Sequence, residues 1–534
     1  MNSQLKAEQI GQAAQLDRQF TVPSTPIVRR GVRLRRVGDI VHLDGSDRPQ
    51  FFSGAFAREA LDKVVSACDG KRDHHSIAAK TGVPLELVFK CLALLWSSGV
   101  IEERSSLHYE VPRPLSVYFS RLGNSTGTNA SWEDAVRRLK STPVIISGDT
   151  KLKAAALRAL TGVCNVRDDD GTVDGIHVYF ETILSGSPTE EQLRMLGGGK
   201  FLRVRADSER ISIGPYIDSE FSPCYTCSTK SDNPLESTVP DHLVDLIAGI
   251  AAHHLIAFIS RATITHLPMD TCVIDISTLS SSYIPLVSLP GCPECSFSSG
   301  PSEASAPVGA VYESSVELPP RKFLAPRDHQ AHYYTGNQQL QSQFKTWPSN
   351  EHYPLPPLEL DGTVRDRAGL KEGDLSIEAL SLVLGTAFGI DRARSTPKRI
   401  KRWTASGGNI GGNDAYVILR DSSVRTPGVY VYSPSDHSLV LISREFPKGE
   451  TLCDIAIVGN LKKTMAKYGT FGFRLAFLDG GCSLTTMRLV SEQLGLKFVP
   501  YVTWSDVALI RALQIDPEHE PIVSVVGIGG SNAL

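Results

Sequence analysis

The 534-residue sequence predicts a multidomain chain of mixed α/β and α+β class. Three observations carry that expectation. The length exceeds what one hydrophobic core ordinarily serves, so about three domains are expected. Within residues 107–295 a strand-like segment, a helical one and a second strand follow in turn, the β-α-β order of a layered α/β domain. Residues 331–534 instead run helix, glycine-rich loop, hairpin and further strand, an α+β order.

Along the chain, residues 1–26 are polar and mixed, and are expected to form a flexible N-terminus. "VRRGVRLRRVGDIVHLDG" (28–45) alternates as strands do, and the apolar positions of "AFAREALDKVVSACDG" (55–70) recur at helical spacing and stop at glycine. "DHHSIAAKTGVPLELVFKCLALLWSSGVIEE" (73–103) adds helix, turn, helix and a closing strand, so 27–106 reads as a winged helix. Such a motif, with Arg29, Arg30, Arg33, Arg35 and Arg36 upstream, could bind DNA. Its second helix argues otherwise, being apolar and acidic where a groove-reading helix is basic. No nucleic-acid partner is expected.

In 107–295, "TPVIISGD" (142–149) reads as a buried strand, "KLKAAALRALTG" (151–162) as a helix and "GIHVYFE" (175–181) as the next strand. A nucleotide site would place G-x-G-x-x-G at the first strand's end, where the backbone must approach a pyrophosphate. The turn "SGDTKL" has one glycine, so neither ATP nor a dinucleotide is expected there. "HLVDLIAGIAAHHLIAFISR" (242–261) is a long apolar core helix in which His253 and His254 are expected to pack or to face a partner rather than to act in catalysis. "SFSSGPSEASAPVG" (296–309) opens a linker taken to span 296–330. In 331–534, "SIEALSLVLGTAFGI" (376–390) is helical and "KRWTASGGNIGGNDAYVIL" (401–419) is a glycine-rich loop entering a strand. The hairpin "GVYVYSPSDHSLVLIS" (428–443) follows, then "GNLKKTMAKYGTFGFRLAFLDGG" (459–481), whose "FRLAFLDGG" reads as an apolar strand, and finally the glycine turn of "PIVSVVGIGG" (521–530).

A net charge of −3 and 41% hydrophobic residues suit a globular protein with no global drive toward nucleic acid or membrane. There is no run of 18 apolar residues and no signal-peptide layout in the first thirty, so a cytoplasmic protein is expected. Six of the ten cysteines (Cys68, Cys91, Cys164, Cys272, Cys453, Cys482) stand alone and read as buried, inert thiols. The other four, Cys224, Cys227, Cys292 and Cys295, form CxxC plus CxxC, the arrangement by which two knuckles converge four thiolates on one tetrahedral ion. Structural zinc is expected there. Four thiolates leave no open position for water or substrate, so the chemistry belongs elsewhere.

The segments of the last third, in order, resemble the flavin-dependent dehydrogenases of the nitroreductase superfamily, specifically the SagB type that oxidises azoline rings in ribosomally made peptides. The resemblance rests on "TVRDRAG" (363–369), the Ser-Gly-Gly loop, the hairpin, Lys-Tyr-Gly before an apolar segment, and the terminal glycines. Residues 107–295 resemble the ThiF-like partner proteins of the same pathways, whose double CxxC binds zinc and whose nucleotide site is degenerate. The winged helix resembles their recognition element, which takes the precursor's leader as an added strand. Arg29 to Arg36 would then face an often acidic leader.

The resemblance implies the chemistry as well. Oxidising a thiazoline or oxazoline to an azole removes a hydride, which flavin accepts, and a proton, which needs a base. Lys467 and Tyr468 match the family's Lys-Tyr pair, and for either to accept a proton near neutrality its site must favour the deprotonated form. Arg365 would pair with the FMN phosphate, and Ser406, Gly407, Gly408 and Gly527 would let backbone amides approach the cofactor. A homodimer through the nitroreductase-like domain and a separate YcaO-type cyclodehydratase are the implied partners. The sequence departs from the family pattern at "TASGGNIGG", at "TV" in the opening segment, and at Cys482, which stands where relatives carry histidine. Two other readings follow from the same residues: a non-catalytic scaffold that presents the precursor to the cyclodehydratase, and a winged-helix regulator.

Overall fold

The computed structural model describes residues 6–17, 20–46, 49–123, 125–167, 175–189, 199–230, 232–263, 269–316, 339–358, 375–396, 399–449 and 451–529. They divide into two compact units, 4–333 and 334–534. The fold is a mixed α/β and α+β multidomain one.

The first unit opens with α1 (Ala7–Leu16) where a flexible terminus was expected. Ile10 and Ala13 are buried, and Gly11 lies so close to Lys90 that a Cβ there would come within 2.5 Å of its side chain. The helix is therefore held by packing that local composition did not announce. The winged helix follows as β1 (Pro26–Val28), β2 (Arg33–Val37), β3 (Ile40–Asp44), β4 (Gln50–Phe52), α2 (Ala55–Glu59), α3 (Leu61–Ala67), α4 (His74–Thr81), α5 (Leu85–Ser97) and β5 (Ile101–Glu103). Strands β2, β3 and β4 form one antiparallel sheet, and β1 pairs with β5. Asp73 caps α4 by accepting from the Ser76 amide, and Gly82 ends it in the left-handed conformation at φ 71°.

Four of the arginines expected to face a leader are already engaged. Arg29, 2% exposed, donates from Nε to Ile101 O and from Nη1 to Ser120 O and Glu102. Arg30 lies over the Trp132 ring, Arg35 pairs with Asp44, and Arg36 pairs with Asp62. Arg30 and Arg33 are both exposed and without an ion pair among the described residues, but Arg30 also donates to Ser116 Oγ at 2.8 Å, which leaves Arg33 as the one facing solvent with neither an ion pair nor a side-chain hydrogen bond among them. Alternation in sequence cannot separate an arginine that joins two layers from one that meets solvent.

The α/β layer contains α6 (Arg113–Leu122), α7 (Trp132–Ser141), β6 (Pro143–Gly148), α8 (Thr150–Leu160), β7 (Asn165–Arg167), β8 (Ile176–Glu181), β9 (Lys200–Ala206) and β10 (Arg210–Asp218). It continues with α9 (Tyr225–Thr229), α10 (Asp241–Ser260), β11 (Thr271–Asp275), β12 (Ser281–Ile284) and α11 (Val308–Val316). The sheet order is β12-β11-β10-β9-β8-β6-β7, with β7, β6, β8 and β9 mutually parallel. At the turn after β6, the Asp149 carboxylate accepts from the Lys151 and Leu152 amides and from the Thr182 hydroxyl. A negative charge thus takes the helix N-terminus that a nucleotide phosphate would need. Helix α10 is long and apolar enough to cross a membrane by length and composition, yet half of that stretch is buried, and Ile247, Ala251 and Leu255 belong to this core. Part of the expected linker is ordered: Ala306 packs beside the cysteine cluster and α11 follows.

The second unit has β13 (His352–Pro354), α12 (Ile377–Phe388), β14 (Asn413–Leu419), β15 (Gly428–Ser433), β16 (Ser438–Ser443) and β17 (Cys453–Gly459). Then come α13 (Leu461–Tyr468), α14 (Phe471–Gln493), β18 (Phe498–Pro500), α15 (Asp506–Leu513) and β19 (Ile522–Ile528). Its seven strands are antiparallel in the order β13-β16-β15-β14-β17-β19-β18. One sheet face carries a core with Leu380, Leu384 and Met487, and the other a core with Leu509 and Leu513. "FRLAFLDGG" is not a strand but the first turns of α14. Its buried positions Gly472, Leu475, Ala476, Asp479, Gly480 and Ser483 recur at three and four, a helical period that outweighs the short apolar run. The closing glycine turn is likewise corrected, since Gly527 lies inside β19.

Candidate functional site

The polar residues of the second unit gather where β14 begins. The register pairs Asn413 at the start of β14 with Gly459 at the end of β17, so the glycine loop before one strand meets the helix after the other. Asn460 caps α13 by accepting from the Lys463 amide at 3.2 Å, and the helix runs on to Lys467 and Tyr468. Gly408 lies against these two side chains. A Cβ there would fall 2.6 Å from Lys467 Nζ and 2.6 Å from Tyr468 Oη, and its φ of +59° is one that L-residues rarely adopt. Lys467 Nζ itself lies 5.0 Å from the centre of the Tyr468 ring. The structure therefore brings together an exposed backbone segment, an amine and a phenol.

The loop is anchored on both flanks. Ser406 Oγ accepts from the Gly411 amide at 2.9 Å, and Asp479 Oδ1, on α14, accepts from the Gly407 amide at 2.8 Å. At Gly407 a Cβ would fall 2.6 Å from Leu475, so this glycine permits α14 to approach. Burial raises the Asp479 carboxyl above the usual range, against the Gly407 amide, which favours the charged form. Ser406, Gly407, Gly408, Lys467 and Tyr468 are thus neighbours. Gly527 is not among them: it pairs with Asp454, five residues from Gly459 and about 16 Å away at strand rise. Thr451 and Tyr501 fill the space beside it. Arg365 and the rest of 363–369 lie outside the described residues.

Three further residues shape this site and were not anticipated. Arg402 donates to the carbonyls of Ile410 and Gln341, Lys463 donates to that of Gly411, and Asp479 holds Gly407. Burial pushes Arg402 down to about 10 and Lys463 down to about 8, with Arg402 adding to the effect on Lys463. The one sequence signal was position: Lys463 stands four residues before Lys467, on the same helical face.

In the first unit the four expected cysteines converge. Cys224 and Cys292 sulfurs are 3.6 Å apart, Cys227 and Cys295 sulfurs 3.5 Å, and all four lie within 4.8 Å of one another. A tetrahedron with metal–sulfur bonds of about 2.3 Å has edges of about 3.8 Å, so the donor set fits one ion. At Cys292, burial works to raise the thiol, but the Glu294 and Cys295 amides prevail and lower it to about 7. Leu286, Leu289 and Ala306 enclose the cluster. Behind it, the Arg203 guanidinium lies 5.3 Å from the Tyr225 ring and pairs with Glu181 at 2.9 Å and Asp232 at 2.6 Å, tying the first knuckle to β8 and β9.

No family model matches the chain. Over 193 residues, 32% of this chain and 94% of the relative, it is 28% identical to a Methanocaldococcus jannaschii protein named provisionally as a nitroreductase. Similar solved structures include a heterocyclase in complex with substrate and cofactor, at 15% identity over 51% of this chain, with a TM-score of 0.39. The chain spans 39% of that heterocyclase. Escherichia coli MccB matches at 12% identity over 51% of this chain and 97% of its own, with a TM-score of 0.40. A provisionally named nitroreductase of Ralstonia eutropha matches at 19% identity over 36% of this chain and 95% of its own, with a TM-score of 0.29. The neighbours thus divide between MccB and a heterocyclase on one side and nitroreductases on the other, and likeness at this level assigns no activity.

Proposed function

We propose that this chain is a flavin-dependent oxidoreductase that dehydrogenates azoline rings in a ribosomally made precursor peptide. The observation that carries the reading is the convergence of Lys467 Nζ and Tyr468 Oη on Gly408. The residues present suit the ring end of FMN in their chemistry, because a bare backbone at Gly408 stands against an amine and a phenol with no side chain between. Similarity to a nitroreductase supports the same reading. When bound, FMN supplies the two-electron acceptor for the hydride.

The chain's own residues account for the proton. An azoline losing a hydride must also release a proton, and Lys467 Nζ or Tyr468 Oη, whichever is deprotonated, receives it and returns it to solvent. Gly408 sets how closely these two atoms approach the loop. The other expectations join as parts of one proposal. A zinc ion held by Cys224, Cys227, Cys292 and Cys295 staples the first unit. The winged helix takes the leader, with Arg33, exposed and without an ion pair among the described residues, as a cation for it, and a separate YcaO-type cyclodehydratase makes the azolines. A homodimer through the second unit would cover the exposed apolar side chains of α14, Phe473, Phe477, Leu478 and Leu489, which are 37 to 55% exposed.

The test is incubation of a leader-bearing azoline peptide with the protein and FMN. Loss of two hydrogens per ring, abolished in Lys467→Ala, is the expected result. Peptide that binds but stays unoxidised would leave a zinc-stapled scaffold as the better account.

A further inference from the structure

The glycine loop has an inner side as well as the side that faces Lys467 and Tyr468. Arg402 Nη2 donates to Ile410 O at 3.1 Å and to Gln341 O at 3.1 Å, and Arg402 Nε to Asn409 O at 3.4 Å. From α13, Lys463 Nζ donates to Gly411 O at 3.3 Å. Three successive carbonyls, those of Asn409, Ile410 and Gly411, are therefore turned inward to two cations. Both cations also lie against one ring, with Arg402 Cζ 5.6 Å and Lys463 Nζ 5.4 Å from the centre of Phe344. Within the loop the Asn409 amide donates to Ser406 O, the Ile410 amide to Gly407 O and the Gly411 amide to Ser406 Oγ. From outside it, Asp479 accepts from the Gly407 amide, and Gly408 is held directly only through its carbonyl, which accepts from Gln341 Nε2 at 3.3 Å, the same Gln341 whose own carbonyl Arg402 holds.

Two cations in this enclosed space repel each other and lose hydration, a cost that Asp414, Phe344 and the backbone carbonyls offset only in part, since both cations remain lowered. Their geometry is what they supply. Gly411 is shaped for it, since a Cβ there would come within 2.4 Å of the Arg402 guanidinium. We propose that Arg402 and Lys463 are positioning residues, a two-cation clamp that turns the carbonyls of 409–411 inward and so holds Gly408 against Lys467 and Tyr468. The consequence for catalysis rests on the dehydrogenase reading; the clamp itself rests on the loop's geometry.

The two halves of the clamp respond differently to pH. Lys463 is lowered to about 8 and loses its charge first, while Arg402 stays charged. Charged groups packed around Lys463 are Arg402 and Asp414. Lys345 and Glu520 face the same Asp414, and Asp479 lies beyond the loop. Because the unfolded lysine keeps its proton to 10.5, the unfolded chain binds more protons between about 8 and 10.5, and this residue's share of global stability rises with pH there. Loop protection should fall over the same window as a charge-assisted bond becomes a neutral one.

Amide hydrogen exchange of peptides covering 405–412, against β14 as the global reference, tests this in the full chain. Lys463→Met should speed exchange of 405–412 about tenfold, the loss of one charge-assisted bond, with β14 little changed. Lys463→Arg should restore protection and remove its decline above about pH 8. Equal exchange in wild type and Lys463→Met overturns the clamp, as does equal acceleration of loop and β14. Should Lys463→Met fail to fold, the pH profile of Lys463→Arg decides alone, and a decline identical to wild type overturns it. Normal clamp behaviour in a protein that refuses FMN would sink the dehydrogenase reading and leave the clamp standing.

Discussion

Replacing Gly408 by alanine separates the geometry of the site from the stability of the domain. An L-residue at φ +59° costs roughly 1–2 kcal/mol, which for a unit of about 200 residues lowers the thermal midpoint by a few degrees. The domain should survive that. The new methyl would fall 2.6 Å from both Lys467 Nζ and Tyr468 Oη, where contact distances are about 3.5 Å, so both atoms must retreat by about 1 Å. A displacement of that size at reacting groups is worth on the order of 100-fold in rate. Azole formation followed by mass spectrometry, beside a thermal melt, should show that loss in a folded protein. Gly82→Ala is the control: it has the same left-handed conformation at φ 71°, with nothing within 4 Å of a Cβ and far from Lys467 in sequence, so it carries a backbone cost without the collision. Wild-type turnover in Gly408→Ala, or an equal rate loss in both variants, would refute the argument.

Three further outcomes follow from the same contacts. One zinc per chain is expected by elemental analysis, and chelation should lower the melting midpoint of the first unit; an unchanged melt would contradict a structural ion. Arg33→Glu should weaken binding of an acidic leader severalfold with little change in folding, whereas Arg29→Ala should destabilise by about 3–5 kcal/mol because it leaves Glu102 buried and uncompensated. Fluorescence anisotropy and denaturant melts measure the two, and a reversed pattern would return Arg29 to the recognition surface. Phe477→Asp on the exposed face of α14 should halve the mass seen by light scattering, and a dimer that persists would place the interface elsewhere.

Legibility from sequence tracked the range of the interactions involved. The winged helix was readable because the alternation in 28–45 and the helical spacing of 55–70 with its glycine stop act locally. The two CxxC pairs were readable because metal geometry constrains spacing. Helix α14 was misread because the five apolar residues of "FRLAFLDGG" satisfy either period, and what decides is burial of Gly472, Leu475, Asp479 and Ser483 against distant elements. Arg29 was misassigned for a related reason: its partners Glu102 and Ser120 lie more than 70 residues away. In the candidate site, Lys467, Tyr468 and the glycine loop were recognisable as motifs. Arg402, Lys463 and Asp479 were not, since each acts through backbone atoms of a loop that the sequence cannot fold onto them.

The visible absorption spectrum of the purified protein, and of the supernatant released by heating it, tests the central claim most directly. The account predicts the bands of oxidised FMN at about one flavin per chain, or their appearance on adding FMN. A colourless protein that also refuses FMN would contradict it.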